Sequence, residues 1–227
     1  MAKQAFGVIG LGQFGRHLAL TLTRAGAHVI AADEDMAKVE GIKDLVARAV
    51  RLDCADEAAL RGAGLDKADC VVFALGEEDF EAAALGVSAL ARMGIPRIVS
   101  RAPSHTRGRI LQALGATQVV YPELQAAEQV ARTLVAPGLE SALALPSGYS
   151  LASVVVPAHF VGEELGALAE RGHAHATVIA VRRRVDRAGQ AVETAVRAEP
   201  TLRLEDGDVL VVAGPDEAVE ALGREAV

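Results

Sequence analysis

Val8-Ile9-Gly10-Leu11-Gly12-Gln13-Phe14-Gly15 is the stretch on which the reading of this chain turns. An apolar run, Ala5 to Ile9, ends in G-x-G-x-x-G and passes into an amphipathic segment, so strand, glycine turn and helix are expected in that order. In such a corner Gly10 permits the tight turn, Gly12 lets the backbone approach a pyrophosphate, and Gly15 allows helix and strand to pack closely. The first N–H groups of the helix then meet the phosphates. Asp33 ends the next β-branched run, 18 residues past Gly15. Its carboxylate can accept both hydroxyls of a ribose and repels a 2′-phosphate. Motif and acid together point to an adenine nucleotide other than NADP.

Working outward, short β-branched runs alternate with amphipathic stretches over the first 135 residues. Strands are expected at 5–9, 28–33, 47–52, 70–75, 97–100 and 118–121, and helices at 14–25, 36–44, 57–62, 80–93, 105–114 and 124–135. Runs such as Val71-Val72-Phe73 are continuously apolar, as in parallel strands covered by helices on both faces. The fold class that follows is α/β, a Rossmann-like doubly wound parallel sheet. Turn formers at Ala136-Pro137-Gly138 and Pro146-Ser147-Gly148 break the pattern. A nucleotide-binding domain is therefore expected over 1–135, a linker over 136–149, and a small C-terminal α+β domain over 150–227. Within the latter, strands are expected at 151–156, 177–183, 191–196 and 209–213, and helices at 164–170 and 215–222.

Composition excludes several functions. Lys and Arg number 23 against 30 Asp and Glu, for a net charge of −7, so the chain lacks the basic excess of nucleic-acid binders. Aromatic residues make up 3% and Trp is absent, which removes stacking platforms for single strands. The opening residues leave no room for a secretory signal, and every apolar run breaks before the roughly 20 residues a membrane span needs. Cys54 and Cys70 have no ligand-like spacing and read as buried thiols.

A dehydrogenase, the ordinary occupant of this fold, needs an acid or base near the nicotinamide. Tyr121 and Tyr149 are followed four residues on by Gln125 and Ser153, so no Tyr-x-x-x-Lys pair exists. His17 and His28 read as structural, His105 as a phosphate neighbour, and His159 as a loop residue. His173-Ala174-His175 lacks a third ligand nearby. No P-loop, HExxH or G-x-S-x-G is present. The chain reads as a binding protein rather than an enzyme, with a small NAD-dependent oxidoreductase as the alternative.

The order and spacing of Val8 to Gly15, the Asp33 strand end, Leu52-Asp53-Cys54-Ala55, Ala74-Leu75-Gly76, Gly115-Ala116 and Tyr121-Pro122-Glu123 resemble the RCK (regulator of potassium conductance) family. Phe160-Val161-Gly162 and the run Leu204 to Gly214 resemble its second subdomain. More narrowly, the chain resembles the cytoplasmic regulatory subunits of Ktr/Trk-type potassium uptake systems. That resemblance implies binding of ATP or ADP, or of NAD or NADH, and dimers assembling as an octameric ring. The ring would lie on the inner face of the membrane against an integral potassium-translocating subunit, whose flux it gates. A small-molecule regulator of the C-terminal domain is also implied.

Carried over residue by residue, the resemblance assigns the nucleotide to Gly10, Leu11, Gly12, Gln13, Phe14 and Gly15, to Asp33 and Glu34, and to Ala74, Leu75 and Gly76. Lys38 either borders the nucleotide or belongs to a solvated helix face. Asp53 and Cys54 match the pair that edges the adenine, or Asp53 serves a turn before the next helix. Arg101 and Arg107 match basic phosphate contacts, with Arg109 on the surface of the same helix. Glu123 matches a ligand for a divalent cation, magnesium or calcium, at the dimer interface, or is an ordinary acid at a helix start. Gln13 stands where ATP-preferring relatives tend to carry Arg, which leaves ATP, ADP and NAD(H) open, with Arg16 as a substitute cation. Arg182-Arg183-Arg184 reads as the solvated edge of a hairpin strand.

Overall fold

The computed structural model describes residues 4–168, 175–187 and 190–226. It divides into two units, Met1–Leu124 and Gln125–Val227. In the first, strands β1 (Ala5–Ile9), β2 (His28–Asp33), β3 (Arg48–Arg51), β4 (Cys70–Phe73), β5 (Ile98–Arg101) and β6 (Gln118–Val120) form one parallel sheet in the order β3-β2-β1-β4-β5-β6. Helices α1 (Gln13–Arg24), α2 (Met36–Glu40), α3 (Glu57–Gly62), α4 (Phe80–Arg92) and α5 (His105–Ala113) connect them. This is the expected doubly wound sheet, within a residue or two at most element ends.

Its strands are apolar on both sides because both sides are covered. Ile9, Val71, Phe73 and Ile98 enter a core with Val87, Leu90 and Leu111 from α4 and α5. Val8, Val29 and Ala31 enter a second core with Ala19 of α1 and Val39 of α2. The helix expected over 36–44 ends at Glu40, and a 3-10 turn follows at Lys43–Leu45. Gly41, the poorest interior helix former after proline, stands at that break as the C-cap.

Helix α6 (Pro122–Val135) starts in the first unit and continues in the second. Then come β7 (Leu139–Leu145), β8 (Tyr149–Val155), β9 (Thr177–Arg187), β10 (Gln190–Arg197), β11 (Val209–Pro215) and α7 (Asp216–Glu225). The strands make an antiparallel sheet in the order β10-β9-β11-β8-β7. Phe160, Val181, Leu204, Leu210 and Leu222 lie at the centre of its core, each at most 1% exposed.

Four expectations for this half need correction. The linker expected over 136–149 holds β7, paired with β8 from Leu139↔Val154 to Leu145↔Tyr149. Pro146-Ser147-Gly148 is the hairpin turn between those strands, with Ser147 and Gly148 at φ of 68° and 75°. The division between units accordingly falls at Leu124/Gln125, ahead of the expected boundary at residue 135. Glu164 bridges Arg203, so the helix expected over 164–170 starts late, with helical backbone from Ala167, and its residues 169 and 170 lie outside the described residues.

The arginine run is also placed differently, because β9 lies between β10 and β11 and is no edge. Arg183 donates from Nε and Nη2 to the two carboxylate oxygens of Asp208, at 2.8 and 2.7 Å. Asp208 is 1% exposed, and Asp208 together with Glu205 raises the Arg183 pKa further. Arg182 pairs with Glu140 and Glu193. His173 and Ala174 lie outside the described residues.

Candidate functional site

The strand order reverses between β1 and β4, and in open α/β sheets ligands settle at that point, beyond the carboxyl ends of the strands. A cleft opens there. The turn after β1 contributes Ile9, Gly10 and Gly12; the end of β2 and the turn of α2 contribute Asp33, Glu34 and Lys38. Leu52, Asp53 and Cys54 follow β3, and Ala74, Leu75 and Gly76 follow β4. Asp79 and Ala82 come from the start of α4, and Arg101 from the end of β5.

The three glycines of the motif separate by what a side chain would meet. Gly10 has φ of +92°, and a Cβ on it would lie 2.9 Å from the Leu75 side chain. A Cβ on Gly15 would stand 1.8 Å from the Gly10 carbonyl oxygen, so helix and turn touch only because it is glycine. A Cβ on Gly12 would meet nothing within 4 Å. Gly12 is the N-cap of α1, no side chain caps that end, and its first turn carries no acid. The terminal N–H groups, with the positive end of the helix dipole, are therefore left for an anion at the cleft. These features fit a phosphate group.

Asp33 is 5% exposed, and its place is fixed from two sides. The Leu11 N–H donates to Oδ2 at 2.6 Å and the Asp35 N–H donates to Oδ1 at 2.9 Å. Lys38 Nζ lies 3.3 Å from Oδ1 and 3.4 Å from Oδ2. The acid expected at the ribose thus stands in the cleft wall, joined to the glycine turn by a hydrogen bond.

Across the cleft, Asp53 makes a turn and also lines the wall. Its Oδ1 accepts the Ala55 N–H at 2.8 Å, making a turn, while its side chain remains on the lining. The N-cap of α3 is Asp56, which accepts from Ala58 and Ala59. Burial, with the neighbouring Asp53 carboxylate, pushes the Cys54 thiol up to about 12, so at neutral pH it is an uncharged, apolar wall. Burial likewise raises Cys70, at the start of β4.

Arg101 enters the cleft already partnered. Its Nη2 donates to Glu123 Oε1 at 2.5 Å and its Nε to Oε2 at 3.4 Å. Glu123 is thereby engaged by an arginine rather than gathered with other ligands, and no group of three His, Cys, Asp or Glu able to hold a metal occurs among the described residues. The donor set of one chain does not fit a divalent cation.

Several expected site residues lie off the lining. The Leu11 and Phe14 side chains pack into the core behind the turn, Gly15 is buried behind Gly10, and Gln13 is exposed at the helix start. Arg107 Nη1 donates to Glu77 at 2.7 Å, and its guanidinium lies over the Phe80 ring at 5.1 Å. His105 packs against Tyr121, their ring centroids 4.6 Å apart. Arg16 reaches the Gly41 carbonyl. Ile9, Leu52, Asp79 and Ala82 line the cleft without having been expected. Ile9 and Leu52 immediately precede Gly10 and Asp53, so the strand-end rule could have found them, whereas nothing in the local pattern marks Asp79 and Ala82.

A parallel sheet in this order, with a glycine turn, an uncapped helix end and an acid closing the second strand, defines a nucleotide-binding domain of the dinucleotide-fold class. The chain belongs to the TrkA family: residues 6–122 match the TrkA-N domain and residues 151–226 the TrkA-C domain. It is 30% identical over 212 residues to the Ktr system potassium uptake protein C of Bacillus subtilis (strain 168), covering 93% of this chain and 92% of that one. In fold it is similar to the crystal structure of the GsuK RCK domain, with a TM-score of 0.64 and 18% identity. That match covers 100% of this chain and 49% of the other. The GsuK channel bound to NAD matches with a TM-score of 0.63 and 16% identity, over 98% of this chain and 40% of that one. GsuK bound to ADP matches with a TM-score of 0.50 and 26% identity, over 58% of this chain and 34% of that one.

Proposed function

We propose that this chain is the nucleotide-binding regulatory subunit of a potassium uptake system and gates flux through an integral-membrane partner. The observation that carries the nucleotide half is the cleft: Asp33 buried in its wall, and beside it an uncapped helix end over which Gly12 leaves open space. The transport half rests on membership in a family that includes a potassium uptake protein aligned over nearly the whole of both chains. No helix among the described residues is long and apolar enough to cross a membrane, in keeping with a subunit that sits on the inner face through its partner.

In this reading Asp33 holds a ribose, the turn Gly10 to Gly15 and the start of α1 hold phosphate, and Leu52, Asp53 and Cys54 flank the base. The ligand is ATP, ADP or NAD(H), and it acts by its different affinity for two conformations of an assembly of dimers in an octameric ring. A divalent cation joins only where Glu123 leaves Arg101 and a second copy adds ligands. The C-terminal unit, residues 125–227, would take its own small-molecule regulator.

The experiment is thermal unfolding with ATP, ADP, NAD and NADH, each with and without magnesium, since a ligand bound only by the folded state raises the midpoint. A rise with one of them, lost in Asp33→Ala, together with co-purification of a potassium-translocating membrane subunit, is the expected result. Absence of any shift, or turnover of a substrate with NADH, overturns the proposal.

A further inference from the structure

The acceptor capacity of Asp33 is fully used before any ligand arrives. An ionised carboxylate offers about four lone-pair positions, two on each oxygen. Oδ2 receives the Leu11 N–H and Oδ1 the Asp35 N–H. Lys38 Nζ straddles both oxygens at 3.3 and 3.4 Å and takes the remaining pair. The two backbone donors are fixed by the glycine turn and by the entry to α2. The lysine is held only by its own flexible stem, and its side chain is 46% exposed. A ribose diol binding to this acid therefore needs the positions that Lys38 occupies.

From this competition we infer that Lys38 is a specificity-determining residue, which bars nucleosides from the cleft and admits their phosphorylated forms. The inference rests on the nucleotide reading of the cleft. The entering ribose donates the two hydrogen bonds that the ammonium gives up, so the carboxylate loses nothing. The ammonium, however, loses the anion to which it is hydrogen-bonded. A nucleotide brings a new one, because its phosphates enter the cleft that Lys38 itself lines. An unphosphorylated nucleoside brings none, and leaves the half-exposed ammonium to water alone. Lysine suits the role as a compact charge on a four-carbon stem that can turn from one anion to another.

The test is calorimetric titration of the full chain with adenosine and with ADP at fixed ionic strength, in wild type, Lys38→Met and Lys38→Arg. In Lys38→Met adenosine binding should tighten by about twofold to fivefold, the scale of one half-exposed ion pair no longer to be broken, while ADP gains less or weakens. The adenosine-to-ADP ratio of Kd values should fall accordingly, and Lys38→Arg should keep it near the wild-type value. An unchanged ratio, or weaker adenosine binding in Lys38→Met, overturns the assignment. If Lys38→Met does not fold, wild type alone decides. An uncharged ligand that must part an ion pair binds more tightly as salt rises, and a flat salt dependence for adenosine sinks the idea. ADP binding with an unmoved ratio removes only the role of Lys38, whereas wild type that binds none of ADP, ATP or NAD removes the nucleotide reading itself.

Discussion

Gly12 and Gly15 belong to one motif, yet a methyl group would meet opposite surroundings at the two positions. At Gly15 it would be forced against the Gly10 carbonyl oxygen, and at Gly12 it would stand in open space. Gly15→Ala is therefore expected to destabilise the first unit by about 1–3 kcal/mol or more, the usual cost of overpacking. Gly12→Ala should cost less, about 0.5–1 kcal/mol because alanine is a poorer N-cap than glycine, and lower the unfolding midpoint by a few degrees, while removing the midpoint rise produced by nucleotide. Thermal melts of both variants with and without ADP check the pair. A Gly12→Ala protein that keeps the nucleotide-dependent rise would mean that the open space over α1 is not where phosphate sits. At this scale the sequence was informative about identity and silent about engagement. The places of Asp33, Gly10 and Gly12 in the cleft are legible because they follow from short spacings along the chain. That Lys38 lies on Asp33, or Glu123 on Arg101, depends on how α2 and α6 begin in space, and no spacing expresses that.

Elements were legible where periodicity and propensity agree. Val71-Val72-Phe73 could hardly be anything but a buried strand, and the helices of the first unit carry apolar stripes facing it. β7 escaped because Leu139-Glu140-Ser141-Ala142-Leu143-Ala144-Leu145 holds no β-branched residue, and only pairing with β8 makes it a strand. The turn formers on either side read as a linker when one of them closes the hairpin. For the site, the element that matters most is α6, whose Glu123 holds a cleft arginine. That pair is partly exposed, 23% at Arg101 and 57% at Glu123, so it is worth less than about 1 kcal/mol to the fold. Glu123→Gln should accordingly melt close to wild type. It should also bind ADP several-fold more tightly, because the guanidinium no longer has to leave a carboxylate to meet phosphate. Titration calorimetry without a divalent ion checks this, and weaker ADP binding would show that Glu123 assists the ligand directly.

For the whole molecule, the two units have cores that share no residue in their buried clusters, so each should respond to its own perturbation. The second unit offers a sharp one. Asp208 is buried beneath Arg183 and also accepts the Glu205 N–H at 2.8 Å. The pair fixes the turn before β11 onto β9, which is why a residue in a run that resembles surface charge is interior. Removing one member of a buried pair leaves the other desolvated, at about 3–5 kcal/mol. The Glu205 carboxylate on the same guanidinium brings the expectation for Asp208→Ala to the lower end, about 3 kcal/mol. Calorimetric melting of Asp208→Ala should then show the transition of the second unit lowered by several degrees. The rise that nucleotide produces in the first unit should keep its wild-type size, since every cleft residue lies before Leu124. A single transition that moves as one, with the nucleotide response reduced, would instead mean that the second unit supports the cleft, and the ligand of either unit would then be sensed by the other.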